Sequence, residues 1–240
     1  MLNIVLVHGA FHGGWCWSET AAELTRRGAR VFTPSLTGMG DRKHLFSPSI
    51  TLATHVQDIV NLIEYERLDG CVLAGHSYAG NVITGVGDQL RDKVGHYIYV
   101  DASVPPDGTT TWGWASANPS QRGARMAMID GDGQGMMLLP FPAAAFAVTD
   151  PRQAADLEAR LTPMPRGCYT EPIQLVNGGT EGLKRSYIAA ANPSYSNMAS
   201  SVQWVSKDPS WSFQEIDTGH DMMVTKPLEL AAMLYELAAN

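Results

Sequence analysis

Four short apolar runs separated by helical patterns restrict the fold of this chain more than any other feature. Residues 4–7, 29–32, 71–74 and 96–100 are rich in β-branched and aromatic side chains and do not alternate cleanly between apolar and polar. That pattern belongs to strands covered on both faces, as in a parallel sheet. Between them, residues 18–27 carry Ala21, Ala22 and Leu24 on one helical side, and residues 52–66 repeat Val56, Ile59, Val60 and Ile63 at helical spacing. Strand alternating with helix calls for right-handed crossovers and helices on both faces of the sheet. The rhythm breaks over residues 103–183, where Pro105-Pro106, the glycines from Gly131 to Gly135, Pro140, Pro142, Pro163 and Pro165 interrupt short helical stretches. It returns as strands at 184–190 and 212–216 and a final helix at 227–239, with Thr225 as its N-cap and Pro227 near its first turn. The expectation is one α/β domain over residues 1–240: a mostly parallel central sheet flanked by helices, with a helical lid inserted before the last two strands.

A chain of 240 residues that is 45% hydrophobic fills one core and leaves little for a second. Its formal charge of −7 comes without the basic stripe that a nucleic-acid backbone demands, and its longest cationic cluster is Arg26-Arg27. Cys16, Cys71 and Cys168 are too few and too scattered for a disulfide scaffold or a zinc site. The apolar stretch from Leu2 to Val7 is too short for a membrane span and lacks the charged start and cleavage site of a signal peptide. The chain is therefore expected in the cytoplasm, as a monomer or homodimer acting on a small molecule, with no membrane or nucleic-acid partner.

The run at 71–74 leads into Gly75-His76-Ser77-Tyr78-Ala79-Gly80, and Asn81, Val82 and Ile83 then open a helical pattern. A serine at the tip of a strand-to-helix turn needs small residues two places before and after it, because the backbone passes too close for larger ones. Gly75 and Ala79 meet that need, Ala79 standing where glycine is the commoner choice. The helix that follows points its positive N-terminus at the site. Ser77 is thus the candidate nucleophile. The first run ends in His8-Gly9-Ala10-Phe11-His12-Gly13-Gly14-Trp15, a loop whose glycines let it turn tightly. Stabilising an oxyanion takes two donors: the amide after the nucleophile, that of Tyr78, and one from this loop, that of Ala10, with Phe11 the neighbouring possibility. His8 and His12 read as hydrogen-bonded loop histidines rather than proton carriers. Near the C-terminus, Asp217-Thr218-Gly219-His220-Asp221 follows the last run and offers His220 as the general base, with Asp217 and Asp221 as loop residues.

The segments His-Gly-Ala-x-His-Gly-Gly-Trp, Pro34-Ser35-Leu36-Thr37-Gly38-Met39-Gly40-Asp41-Arg42, Gly-His-Ser-Tyr and Gly219-His220-Asp221 follow one another in that order. Together they resemble the small bacterial α/β-hydrolases, which are similar to plant methyl-ester esterases and hydroxynitrile lyases. The likeness spans nearly the whole chain and weakens in the lid. It implies the α/β-hydrolase fold, shortened at its N-terminal side, with a serine–histidine–acid triad and no metal or organic cofactor. It also puts the acid after the strand at 184–190, where the chain reads Ala191-Asn192-Pro193-Ser194-Tyr195 and holds no carboxylate. Asp101, which ends the run beside the nucleophile strand, is the preferred substitute, as in lactonases that resemble this core. Asp107, Asp208 and Asn192 are the alternatives.

Phe11 of the first loop and Trp112, Trp114, Met126, Phe141 and Phe146 of the lid are the candidate substrate-binding residues, and they imply a dry, largely uncharged pocket. The expected activity is hydrolysis of a small, largely apolar or aromatic carboxylic ester, lactone or carbamate-type ester through an acyl-enzyme. One alternative is a hydroxynitrile lyase, although residues 189–197 lack the lysine that the resembling lyases carry. The other is a non-catalytic small-molecule receptor on the same fold.

Overall fold

The computed structural model describes residues 1–115 and 119–239. Its first part follows the strand–helix rhythm: β1 (Asn3–Val7), α1 (Ser18–Arg26), β2 (Arg30–Phe32), α2 (Leu52–Tyr65), β3 (Cys71–His76), α3 (Ala79–Gln89) and β4 (Val94–Val100). An inserted segment then carries α4 (Thr111–Ala115), α5 (Pro119–Asp130), β5 (Met137–Leu138), α6 (Pro151–Arg160), β6 (Met164–Pro165) and α7 (Gly167–Thr170). The rhythm resumes with β7 (Arg185–Ala190), α8 (Ala199–Val205), β8 (Ser212–Ile216), α9 (Met222–Thr225) and α10 (Pro227–Ala239).

The main sheet has six strands in the order β2-β1-β3-β4-β7-β8, and every pairing in it is parallel. Successive strand residues face opposite sides. Val5, Val7, Leu73, Tyr97, Tyr99, Tyr187 and Ala189 pack with Val56, Ile59 and Ile63 of α2 and Val82, Ile83 and Val86 of α3. Ile4, Leu6, Val72, Ala74, Ile98, Val100, Ile188 and Ile216 pack with Leu24 of α1 and Leu230, Leu234 and Leu237 of α10. Two apolar faces explain why the strands do not alternate in sequence. Burying Ile59 or Ile63 alone is worth roughly 1.5–3 kcal/mol of transfer from water.

The strand order reverses direction between β1 and β3, and ligands of open parallel sheets bind outside the carboxyl ends of strands at such a switch point. The loop after β1 and the turn after β3 lie at that place. Close packing there depends on glycine. A Cβ on Gly9 would meet Ser77 Cβ at 2.9 Å, and one on Gly80 would meet the Ser103 carbonyl oxygen at 1.9 Å, so larger residues would push the loops apart.

The inserted segment differs from the all-helical expectation: β5 and β6 form an antiparallel pair, Met137 opposite Pro165 and Leu138 opposite Met164. Thr225 is the last residue of α9 rather than the N-cap of α10, because its hydroxyl is engaged by Thr218 Oγ1 at 2.7 Å and the Asp221 carbonyl at 3.2 Å. Pro227 opens α10, where its missing N–H costs nothing. Among the described residues, no helix is long and apolar enough to cross a membrane.

Candidate active site

Ser77 follows β3 directly and has φ +56°, a left-handed conformation costly for a residue with a Cβ. The turn is fixed from three directions. Ser77 N–H donates to Val100 O at 3.2 Å, and Ser77 O accepts from Gly80 N–H at 3.1 Å and Ser103 N–H at 3.0 Å. Phe11 and Asp101 also have positive φ, +69° and +40°. Strained backbone thus gathers around this serine, as it does at sites whose side-chain aim is over-determined by their surroundings.

His220, in the loop after β8, is 2% exposed, and its Nε2 lies 2.9 Å from Ser77 Oγ. Its Nδ1 lies 2.6 Å from Asp101 Oδ2, so Nδ1–H donates to the carboxylate and Nε2 is left to accept the serine proton. Asp101 Oδ1 accepts from Ala190 N–H at 3.3 Å. The imidazole is held from the sides as well. The Tyr195 ring stacks on it at 3.9 Å between centroids, and the His220 backbone carbonyl accepts from His76 Nε2–H at 3.0 Å. Burial pushes the His76 imidazole well below its ordinary pKa of 6.5, which keeps that ring neutral. The other candidate acids are engaged elsewhere. Asp107 accepts from Leu175 N–H at 2.8 Å, Asp208 from Ser210 N–H at 2.9 Å, and Asn192 donates its backbone N–H to Thr218 O.

Above Ser77 a cavity open to solvent lies between the sheet and the inserted segment. Ala10, Phe11, Tyr78, Trp112, Phe141 and Phe146 line it, together with Ser77 and His220. Trp114 and Met126 are not in its wall. Trp114 turns away, donating Nε1–H to Ser201 Oγ at 3.0 Å and meeting Trp204 edge-on, while Met126 packs against the core. Sequence reasoning missed Tyr169, which stacks on Trp112 at 4.6 Å, and Tyr195. It also missed the polar end, where Arg125 Nη2 donates to Asn197 Oδ1 at 2.5 Å. Residues 191–195 offered a signal for Tyr195, an aromatic just beyond a strand end; nothing in the sequence marks Arg125 as facing a pocket.

The loop histidines differ in character. His8 Nδ1–H donates to Gly9 O and its Nε2 accepts from Leu36 N–H, and burial lowers its pKa to about 3. His12 contacts the carboxylate of Asp221, a residue of the loop after β8 that is wholly buried. His76, His220 and Asp221 bring metal-ligand atoms within 4.8 Å of one another. All three already have protein partners: both nitrogens of His220 face Ser77 and Asp101, His76 donates to His220 O, and Asp221 pairs with His12.

The chain is 39% identical to a carbendazim hydrolyzing esterase of Nocardioides sp., over 99% of this chain and 100% of that protein. It is 24% identical to an esterase of Oryza sativa subsp. japonica, over 98% of this chain and 95% of the other. An extracellular alpha/beta-hydrolase from a Paenibacillus species superposes with a TM-score of 0.83 at 24% identity, each chain covered in full, a likeness of fold. Residues 4–233 match the model of the alpha/beta hydrolase family, and with a full-length relative at 39% identity the chain belongs to that family, among its esterases.

Proposed function

We propose that the chain hydrolyses a small, planar aromatic carboxylic ester or carbamate-type ester through an acyl-enzyme on Ser77. The observation that carries this reading is the unbroken chain from Ser77 Oγ through the His220 ring to Asp101, at 2.9 and 2.6 Å, on the floor of an aromatic cavity. Ser77 Oγ attacks the carbonyl carbon as its proton passes to His220 Nε2, and the Asp101 carboxylate stabilises the imidazolium that forms. The amides of Tyr78 and Ala10 hydrogen-bond to the oxyanion. Collapse of the tetrahedral intermediate expels the alcohol, which takes the proton from His220. Water then attacks the acyl-enzyme with His220 again as base, releasing the acid and restoring Ser77.

Residues 103–183 serve as the lid, within one domain spanning the chain. Phe11, Trp112, Phe141, Phe146 and Tyr169 hold the ring of the substrate and keep water scarce around the developing charge. The relative named for carbendazim hydrolysis supports the carbamate arm, since carbendazim is a flat aryl methyl carbamate. Buried free thiols at Cys16, Cys71 and Cys168 support residence in the reducing cytoplasm. A panel of aryl methyl esters, a lactone, carbendazim and mandelonitrile tests the reading. Turnover of an ester or carbamate is expected, lost by up to about 10⁶-fold in kcat in Ser77→Ala. Cyanide release from mandelonitrile matching ester cleavage, or full turnover by the variant, would contradict it.

A further inference from the structure

His12, in the loop after β1, and Asp221, next to His220, are 209 positions apart in sequence, and both side chains are buried. His12 Nε2 lies 3.0 Å from Asp221 Oδ2, and His12 Nδ1 lies 2.7 Å from Ala10 O. A carbonyl oxygen and a carboxylate oxygen only accept, whereas a neutral imidazole owns a single N–H. With Asp221 ionised, a neutral ring would set lone pair against lone pair at one of these contacts, both too short to hold a water between, a costly arrangement. The doubly protonated ring satisfies both. Burial pulls the His12 pKa down, and the charge and hydrogen bond of Asp221 outweigh it, so the value lies above the ordinary 6.5. Burial likewise pushes Asp221 up, and the charge and hydrogen bond of His12, together with the nearby His76 and His220, more than compensate, leaving it below 3.8.

The consequences reach both sides of Ser77. Holding the Ala10 carbonyl fixes the Ala10–Phe11 peptide plane, next to the Gly9–Ala10 peptide that carries the Ala10 N–H, in a loop where Phe11 has φ +69°. Asp221 is anchored in turn, its N–H donating to Phe146 O at 3.3 Å, and His76 holds the carbonyl of His220. The ring of His12 is packed between Trp15, stacked at 5.6 Å, and the edges of His76 and Phe146, at 6.2 and 5.8 Å. We infer that His12 and Asp221 are positioning residues: a buried imidazolium–carboxylate pair that clamps the loop of Ala10 and Phe11 to the loop of His220. The oxyanion donors and the general base then keep a fixed separation. The inference rests on the esterase reading for what is positioned, but the state of the pair is measurable without any substrate.

Ring ¹⁵N spectra of histidine-labelled wild-type protein at about pH 8, with His12 assigned by its loss in His12→Gln, read the pair directly. An ordinary histidine is nearly all neutral there. Two N–H-type nitrogens on His12 are expected, and a pyridine-type nitrogen would overturn the pair. Asp221→Asn keeps the shape and removes the charge. It is expected to lower kcat by about 10²-fold, the cost of a misplaced oxyanion donor, with KM nearly unchanged. Binding of an aryl trifluoromethyl ketone, which forms a tetrahedral adduct, should weaken by a similar factor, while binding of the carboxylic acid product stays as in wild type. Wild-type kcat in a folded variant, or equal losses in adduct and product binding, would overturn the positioning role. If Asp221→Asn fails to fold, the wild-type spectra still decide the pair. If the wild type cleaves no ester, the esterase reading falls while the ring signal stands.

Discussion

Asp101 lies 2.6 Å from His220 Nδ1, and this one contact selects the tautomer that leaves Nε2 facing Ser77. Asn in its place would present an amide N–H or a neutral oxygen and remove the charge that stabilises imidazolium. Asp101→Asn is therefore predicted to reduce kcat about 10⁴-fold, by analogy with other serine triads, while KM changes little; steady-state kinetics on an aryl ester read both. Asp107→Asn and Asp208→Asn should stay within about two-fold of wild type, since those carboxylates serve the turns at Leu175 and Ser210. The meeting of Ser77 with His220 was legible because each sits in the turn or loop that follows a recognisable strand, and Asp101 because it comes straight after the neighbouring one. The His12–Asp221 contact was not legible: a carboxylate beside the base reads as a loop residue until the fold brings another loop, 209 positions away, against it.

At the scale of elements, the inner strands β1, β3, β4 and β7 were readable because they are buried on both faces along nearly their whole length, while the edge strands β2 and β8, only partly buried, were marked by the helical patterns beside them. Where the ends of the strands moved, they moved by one or two residues: β3 runs on to His76, beyond the apolar run that ends at Ala74. The inserted segment was harder for a definite reason. Its strands β5 and β6 are two residues each, too short to show any period, and their pairing depends on contacts between residues far apart in sequence. Apolar composition also does not say which way a side chain points. Trp112 and Trp114 are two residues apart, yet one stacks on Tyr169 in the cavity wall while the other turns to Ser201. The contribution of α3 is clearer. It starts two residues beyond Ser77, and Gly80 brings its first turn against Ser103, which holds the turn of β3 in its strained form.

For the molecule as a whole, four of its histidines are buried as neutral rings. Burial lowers His8 to about 3, His55 and His96 to about 4, and His76 well below 6.5. Unfolded, these rings take up protons near 6.5; folded, they do so only at lower pH. The unfolded state therefore binds more protons in that window, so stability is greatest above about pH 6.5 and falls as pH drops toward about 4. His12 works in the opposite sense, its contribution being present below 6.5 and lost as pH rises through its raised folded value. Urea midpoints measured at about pH 7, 6 and 5 should decrease in that order, and a rising series would contradict the neutral-ring account. The central claim, that Ser77 is activated by His220, is tested most directly by an aryl phosphonate reactive toward nucleophilic serines, followed by intact mass and peptide mapping. The account predicts a single phosphonyl adduct on Ser77 and none on Ser77→Ala; folded wild-type protein that stays unlabelled, or a label on another residue, would contradict it.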